Sequence, residues 1–380
     1  MKIAYITNFC AHYRVKTYEL LASRHTVDYY FFSAGDEWYW QQAHGVRSGK
    51  FHHEYLRGFK IGNTRITPEL VLKLWGGGYD VFVKCINGRF ALPVTFAIAR
   101  LRRKPFILVT DTWATLGTPF HRLIFPLLRF VYRHSDAIIA NGEHVREYLI
   151  QLGVPSTRIF TAPHAVDNES YNFAVSERVR LKLRSSLGID AQEKVVLYLG
   201  RLEKIKGLGY LLEAFQAVRR GDAVLVLAGD GSQRAALEQI VRERGLAGCV
   251  HFAGYVPPEE AVAYYSIAWV FVLPSISQPT GKETWGLVVN EAFNQGVPVI
   301  ASDAVGAAEG GLVQDGVNGF VVPERDTAAL ARAMRVILGD CDLRERMSIN
   351  ARQIIAGWNN EQMVNGFEQA LDYVQGGCRR

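Results

Sequence analysis

A chain of 380 residues, 49% apolar and 21% charged, has room for two domains with cores of their own and is too apolar for a disordered protein. Its net charge of +6 is unevenly held: residues 1–170 carry 21 Lys and Arg against 13 Asp and Glu, the remainder 22 against 24. The basic first part points to an anionic partner, such as a membrane surface, a phosphorylated acceptor or nucleic acid, but no nucleic-acid motif accompanies it.

Five widely spaced cysteines without a C-x-x-C argue against a disulfide framework and a zinc site and suit a reducing compartment. No run reaches the 18 or more apolar residues of a membrane span, and MKIAYITNFC reads as a strand rather than a leader. A soluble, cytoplasmic protein is expected.

In chain order, apolar β-branched runs predict strands at 2–7, 26–32, 79–85, 105–110 and 137–140, then at 194–199, 223–228, 250–253, 269–273 and 298–301. Helical patterns lie between them, which is the signature of α/β domains with parallel sheets. The stretch 119–133, PFHRLIFPLLRFVYR, mixes aromatics, leucines and four basic residues. It reads either as a core helix with a basic exposed edge or as a helix resting on an anionic membrane, with Arg100, Arg102, Arg103 and Lys104 nearby. Residues 168–193 open polar and carry SERVRLKLRSSLG, a linker running into a surface helix, so the domain boundary falls near residue 170. Two doubly wound domains facing each other place the carboxyl ends of their strands on opposite walls of one cleft, a two-substrate geometry.

Two segments of the second part carry chemistry. After the strand KVVLYLG, residues 200–207 read GRLEKIKG; Arg201 and Lys206, five positions apart in a turn, can converge on one anion such as a diphosphate, although a solvated basic turn reads the same way. Residues 274–296, PSISQPTGKETWGLVVNEAFNQG, predict a helix from about Trp285 to Gly296, with amides around Gly286 and Leu287 offered to phosphate oxygens. Glu291 falls on the stripe of that helix expected to face protein, where an unpaired charge is costly. It either pairs with a cation or accepts hydrogen bonds from ligand hydroxyls. Glu283 lies eight positions earlier, about 12 Å along an ideal helix axis. That is too far for the roughly 5 to 5.5 Å carboxyl pair of a retaining glycosidase, but it suits opposite ends of an elongated nucleotide sugar.

The run GRLEKIKG, the AGDG at 228–231, FAGYVP at 252–257, the E-x7-E of KETWGLVVNEAFNQGVPVIASD and GLVQDGVNGFVV at 311–322 together resemble the C-terminal domain of family 4 retaining glycosyltransferases. The resemblance spans most of residues 137–375, including APHAVD at 162–167. It implies the GT-B fold: an α/β chain of two Rossmann-like doubly wound domains facing across a cleft. Residues 1–170 would form the acceptor-side domain and 171–360 the donor domain, with a helix at 361–380 packing back on the first.

The implied activity is hexosyl transfer from a nucleotide-diphosphate sugar, a UDP-sugar foremost, to a glycan, lipid-linked or small-molecule acceptor, as in polysaccharide biosynthesis. By the same resemblance Arg201 and Lys206 bind the diphosphate, with the Gly286 and Leu287 amides opposite. Glu283 contacts the donor sugar, Glu291 the ribose, Gly254, Tyr255 and Val256 lie near the base, and Trp285 lines the site. The reaction would retain configuration, with the leaving phosphate taking the acceptor proton and the protein stabilising the departing diphosphate.

The first part departs from the family pattern. Residues 8–14, NFCAHYR, stand where many members carry Gly-Gly, which makes His12 and Arg14 candidates for phosphate or acceptor contact; Thr110-Asp111-Thr112-Trp113 stands where many place a His, which makes Asp111 an acceptor-side candidate. Each has a plain alternative as a loop or turn cap. Asp340-Cys341-Asp342 lies between two helical patterns and reads as a cap rather than a metal site, so no obligatory metal or other cofactor is expected. Partners are then a donor, an acceptor and the inner face of an anionic membrane. Competing readings are an epimerase or hydrolase on the same architecture, or a non-catalytic nucleotide-sugar-binding subunit.

Overall fold

The computed structural model describes residues 1–33, 49–218 and 221–377, and the chain forms two compact units. The first comprises Met1–Trp113, Thr118–Val166 and Asn359–Arg380; the second Ala114–Gly117 and Asp167–Trp358.

The first unit is built on β1 (Lys2–Thr7), β2 (Thr26–Phe31), β3 (His53–Tyr55), β6 (Val81–Cys85), β7 (Phe106–Thr110), β8 (Ala137–Ala140) and β9 (Ile159–Thr161), all parallel, in the order β3-β2-β1-β6-β7-β8-β9. A hairpin of β4 (Phe59–Ile61) and β5 (Thr64–Ile66) stands apart from it. Helices on both faces of a parallel sheet bury its strands completely, which is why AIIA is apolar throughout and FILVT apolar up to its closing Thr110 instead of alternating. The five expected strands are all present. β3 and β9 are additional, three residues each, too short to leave a pattern.

Helix Asn360–Gly377 belongs to this unit. Its Met363, Val364, Phe367, Ala370, Leu371 and Val374 recur at helical spacing and join Tyr5, Tyr18 and Tyr29 in one core. The helix lies so close to the sheet edge that a Cβ on Gly366 would fall 2.4 Å from the Thr161 carbonyl oxygen. Residues 378–380 of the expected helix fall outside the described residues.

The second unit holds β10 (Lys194–Leu199), β11 (Ala223–Ala228), β12 (Val250–Gly254), β13 (Ala268–Leu273), β14 (Val299–Ser302) and β15 (Gly319–Val322), parallel, in the order β12-β11-β10-β13-β14-β15. β15 is again one strand more than expected. The polar stretch after Asp167 contains a four-residue helix, Asn168–Tyr171, and the surface helix Glu177–Ser186, which buries none of its residues. Asp340 caps helix Cys341–Ala356, its carboxylate accepting from the Leu343 amide at 2.8 Å.

Both sheets have Rossmann topology. From β10 the chain winds outward through β11 and β12, then returns to β13 on the other side. The loops following β10 and β13 therefore leave the sheet at its switch point, where open α/β sheets bind ligands.

Candidate donor-sugar site

The loop after β10 needs its glycines. The AGDG turn crosses it so closely that a Cβ on Gly229, whose φ is +145°, would lie 1.9 Å from the Gly200 carbonyl oxygen. Gly207, at φ +65°, is left-handed and would put a Cβ 2.0 Å from the Pro274 carbonyl oxygen. That contact, with the Ile276 amide donating to the Ile205 carbonyl at 2.7 Å, fastens the β10 loop to the β13 loop. The Tyr198 hydroxyl donates to the Arg201 carbonyl oxygen at 2.6 Å. Arg201 itself projects into solvent, whereas Lys206 is 9% exposed.

Lys206 forms an ion pair with Glu283 in the β13 loop. The Ser275 hydroxyl donates to the same carboxylate oxygen at 3.2 Å, and Ser302 in turn donates to the Ser275 carbonyl. Burial raises the Glu283 pKa, but Lys206, Ser275 and Arg201 together outweigh it and hold the carboxyl below its ordinary range. The backbone of this segment is pinned from β14's side: Gly306 donates to the Glu283 carbonyl at 3.1 Å and Ala307 to that of Trp285 at 2.8 Å.

The helix starts later than its apolar pattern suggested. Gly286 has φ +89°, incompatible with a helix, and a Cβ there would strike Leu273 at 2.7 Å. The helix therefore spans Val288–Asn294 with Leu287 as its N-cap. Glu283 lies outside it in an extended bridge with Val305. Gly296, at φ +67°, supplies the left-handed turn after its end. Trp285, expected to line the site, is instead 2% exposed; its indole nitrogen donates to Asn290 at 2.8 Å and its ring leans on Trp358. That side chain supports the turn from behind.

Two tyrosine hydroxyls meet Glu291. The Tyr265 hydroxyl donates to it at 2.8 Å, and the Tyr171 hydroxyl interacts with it as well. Burial pushes this carboxyl up to about 6, and the two hydroxyls restrain the rise. Gly254, at φ +75°, ends β12 and accepts from the Gly229 amide at 2.6 Å; Tyr255 beyond it is 53% exposed and Val256 half-buried. The second unit thus gathers Arg201, Lys206, Glu283, Gly286 and Leu287 around the β10 and β13 loops. Sequence reasoning missed Ser275, Tyr171 and Tyr265, which no motif marks.

On the first unit, His12 is exposed in a single turn, His12–Arg14, and Asp111 is half-buried immediately after β7. The Arg14 guanidinium contacts His164 Nδ1 at 2.6 Å and Met363 Sδ at 2.9 Å. Burial, Arg14 and His144 all push the His164 pKa down, so its imidazole stays neutral. Lys84, at the end of β6, is fully buried with its ammonium donating to the Cys85 and Asn87 carbonyls at 2.6 and 2.7 Å. Burial lowers it to about 7.

Two family profiles match nearly end to end: "Glycosyltransferase Family 4" over residues 17–170 and "Glycosyl transferases group 1" over residues 179–354. The chain is 32% identical over 290 residues to an alpha-D-kanosaminyltransferase of Streptomyces kanamyceticus, covering 73% of each chain. It is 30% identical over 262 residues to a GDP-mannose-dependent alpha-(1-6)-phosphatidylinositol monomannoside mannosyltransferase of Mycobacterium tuberculosis, covering 67% of this chain and 66% of that one. Among solved structures, Anabaena HepE in complex with UDP superposes with a TM-score of 0.77 at 20% identity, over 98% of this chain and all of that one. Sucrose-phosphate synthase of Thermosynechococcus elongatus gives 0.75 at 21%, over the whole of both. The chain belongs to the family 4 glycosyltransferases, with the two Rossmann-like domains of the GT-B fold.

Proposed function

We propose that this chain is a retaining, metal-independent hexosyltransferase that takes its sugar from a UDP-sugar bound on the second unit. One observation carries the reading: the Lys206–Glu283 pair, with Arg201 acting on the same carboxylate, sits at the switch point of a Rossmann sheet. There Arg201 and Lys206 meet the donor diphosphate and the Gly286 and Leu287 amides add their partial positive charge, so the leaving nucleoside diphosphate is stabilised where its charge develops. Glu283, kept ionised by Lys206, accepts from donor sugar hydroxyls. Glu291 accepts from the ribose, and Gly254, Tyr255 and Val256 border the base. The leaving phosphate takes the acceptor proton, so no protein nucleophile is needed. His12 and Asp111 serve the acceptor side.

UDP is favoured by the HepE complexes with UDP and with UDP-glucose, whereas the mycobacterial relative uses GDP-mannose. The test is release of nucleoside diphosphate from UDP-, GDP- and ADP-sugars with and without glycan, lipid-linked and small-molecule acceptors. Release from one nucleotide series that depends on an acceptor is expected. Release indifferent to every acceptor would point to a hydrolase, and no turnover with tight binding to a binding subunit.

A cytoplasmic protein resting on the anionic inner face of a membrane is the second part of the proposal. Among the described residues no helix is long and apolar enough to cross one. What supports surface contact is helix Pro119–His134, which buries only Val131 and Tyr132 while Leu123, Leu127 and Phe130 stand exposed beside Arg122, Arg129 and Arg133. A core helix would bury that apolar stripe.

A further inference from the structure

Glu291 is joined to a part of the chain that the donor chemistry does not use. Tyr265 reaches it from helix Ala261–Ile267 and Tyr171 from helix Asn168–Tyr171. The second of these helices begins one residue after the chain enters the second unit at Asp167. It is fastened to the Glu291 helix by several bonds: Asn294 Nδ2 donates to Asn168 Oδ1 at 3.0 Å, and Gln295 donates to the Tyr171 carbonyl and, at 3.0 Å, to that of Phe173. Asn168 Nδ2 also donates to the Ile355 carbonyl at 3.1 Å, and more distantly to that of Trp358, the last residue before the chain leaves this unit. The segments by which the chain enters and leaves this unit and the helix carrying Glu291 thus share one hydrogen-bond network.

We propose that Tyr171 and Tyr265 are positioning residues for the donor: their hydroxyls hold the Glu291 carboxylate toward the nucleoside ribose, and Tyr171 fixes that carboxylate to the inter-unit crossing. Neither tyrosine touches the reacting atoms. Each hydroxyl donates to the carboxylate and so fixes which lone pairs remain for a ribose diol. Few other charges bear on Glu291. Asp167 lies near Tyr171; from helix Cys341–Ala356, Arg352 reaches over but donates to the Asn294 and Gln295 carbonyls at 3.4 and 2.8 Å; β13 and β14 carry no titratable side chain. The state of the carboxyl is therefore governed by burial and the two tyrosines, which favour its ionised form.

The inference rests on Glu291 contacting the donor, and the experiment separates the two. UDP affinity is measured by calorimetry from pH 5 to 8 for the wild type, Tyr171→Phe, Tyr265→Phe and Glu291→Gln; the last retains UDP's own phosphate titration and serves as the baseline. Relative to that baseline, wild-type affinity falls as pH drops through about 6. Each Phe variant weakens binding roughly 5- to 30-fold at pH 7 and moves the acid fall to higher pH, because a hydroxyl that favours the carboxylate has gone. Should Glu291→Gln match the wild type at every pH, the donor contact itself is wrong. Should Glu291→Gln remove the acid fall while both Phe variants keep it at the wild-type pH, the positioning role is overturned. A loss of stability alone leaves the pH of the acid fall where it was, which counts against the proposal, and if Tyr171→Phe does not fold, Tyr265→Phe makes the same test.

Discussion

Replacing Lys206 by alanine separates the two jobs assigned to it. In the folded chain its side chain is 11% exposed and that of its partner Glu283 17%, so the pair is largely dry and removing the cation strands a carboxylate. Breaking a buried pair from one side costs about 3–5 kcal/mol. The lower end applies here, since Ser275 still donates to Glu283 and Arg201 still acts on it. Loss of one charge-assisted phosphate contact adds about 1.5–3 kcal/mol to UDP binding, roughly 10- to 150-fold in affinity. The pH dependence carries a distinguishing sign. In the wild type the Glu283 pKa is held below its unfolded value, so its contribution is present at neutral pH and is lost only as pH falls below the ordinary carboxylate range. Without Lys206, burial, the largest influence on Glu283, dominates and raises the pKa. The variant then regains stability on acidification from pH 7 toward 5, when the stranded carboxyl protonates. Urea unfolding at pH 7 and 5, with UDP calorimetry at pH 7, reads both effects. A variant as stable as the wild type that binds UDP equally well would remove Lys206 from both roles.

Four shorter predictions follow from the same geometry. Gly229→Ala should cost about 1–3 kcal/mol of stability through strain alone, because a Cβ there meets the Gly200 carbonyl oxygen at 1.9 Å; an unchanged melting temperature would refute the close approach. For Lys84, with its folded pKa lowered to about 7 by burial, the unfolded chain binds the extra proton up to about pH 10.4, so this residue's contribution improves as pH rises from 7. Lys84→Met should lack that gain between pH 7 and 9.5 in urea midpoints, and equal slopes would dismiss the buried amine. A Leu123→Asp, Leu127→Asp chain should sediment less with anionic vesicles than the wild type, whose own binding should fall with salt; indifference of the wild type to lipid charge ends the membrane proposal. Tyr265→Phe should keep kcat within about threefold while raising the donor KM, as loss of binding that is equal in ground and transition states requires.

Much of this was legible because it is local. Ten strands could be read from runs such as KVVLYL and AVLVLA, since strands buried on both faces carry one uninterrupted apolar signal. β3, β4, β5, β9 and β15 were not, because three or four residues hold no period and pairing decides their state. The helix start was misplaced by three residues because its apolar periodicity continues upstream through Trp285, while the backbone is set by Gly286 at φ +89°. Trp285 misled for a related reason. Its position two residues after Glu283 suggested the site, but the backbone turns immediately after it at Gly286, φ +89°, and its side chain went to the core with Trp358. Tyr171 and Tyr265 lie 120 and 26 positions before Glu291 in the chain, and nothing in either neighbourhood announces a carboxylate.

The spacing of Glu283 and Glu291 acquires a different explanation from the helical one. Measured along a helix, eight positions would set the carboxyls at two ends of one rod. Here the first three of those steps run through an extended turn pinned by Val305–Ala307, the reversal occurs at Gly286, and only the later residues are helical. The two carboxylates are consequently held by unrelated supports. Glu283 answers to a lysine and a serine from the β10 and β13 loops, which hold its carboxyl below the ordinary range; Glu291 answers to two tyrosines from other helices, and burial pushes it up to about 6. On the proposed donor placement, two environments that push like groups apart in pKa let one remain an anion beside the cations assigned to the diphosphate while the other hydrogen-bonds neutral hydroxyls. Each acid in such a site depends on its own support, and on the proposed donor placement a substitution in either support should disturb one end of the donor without the other.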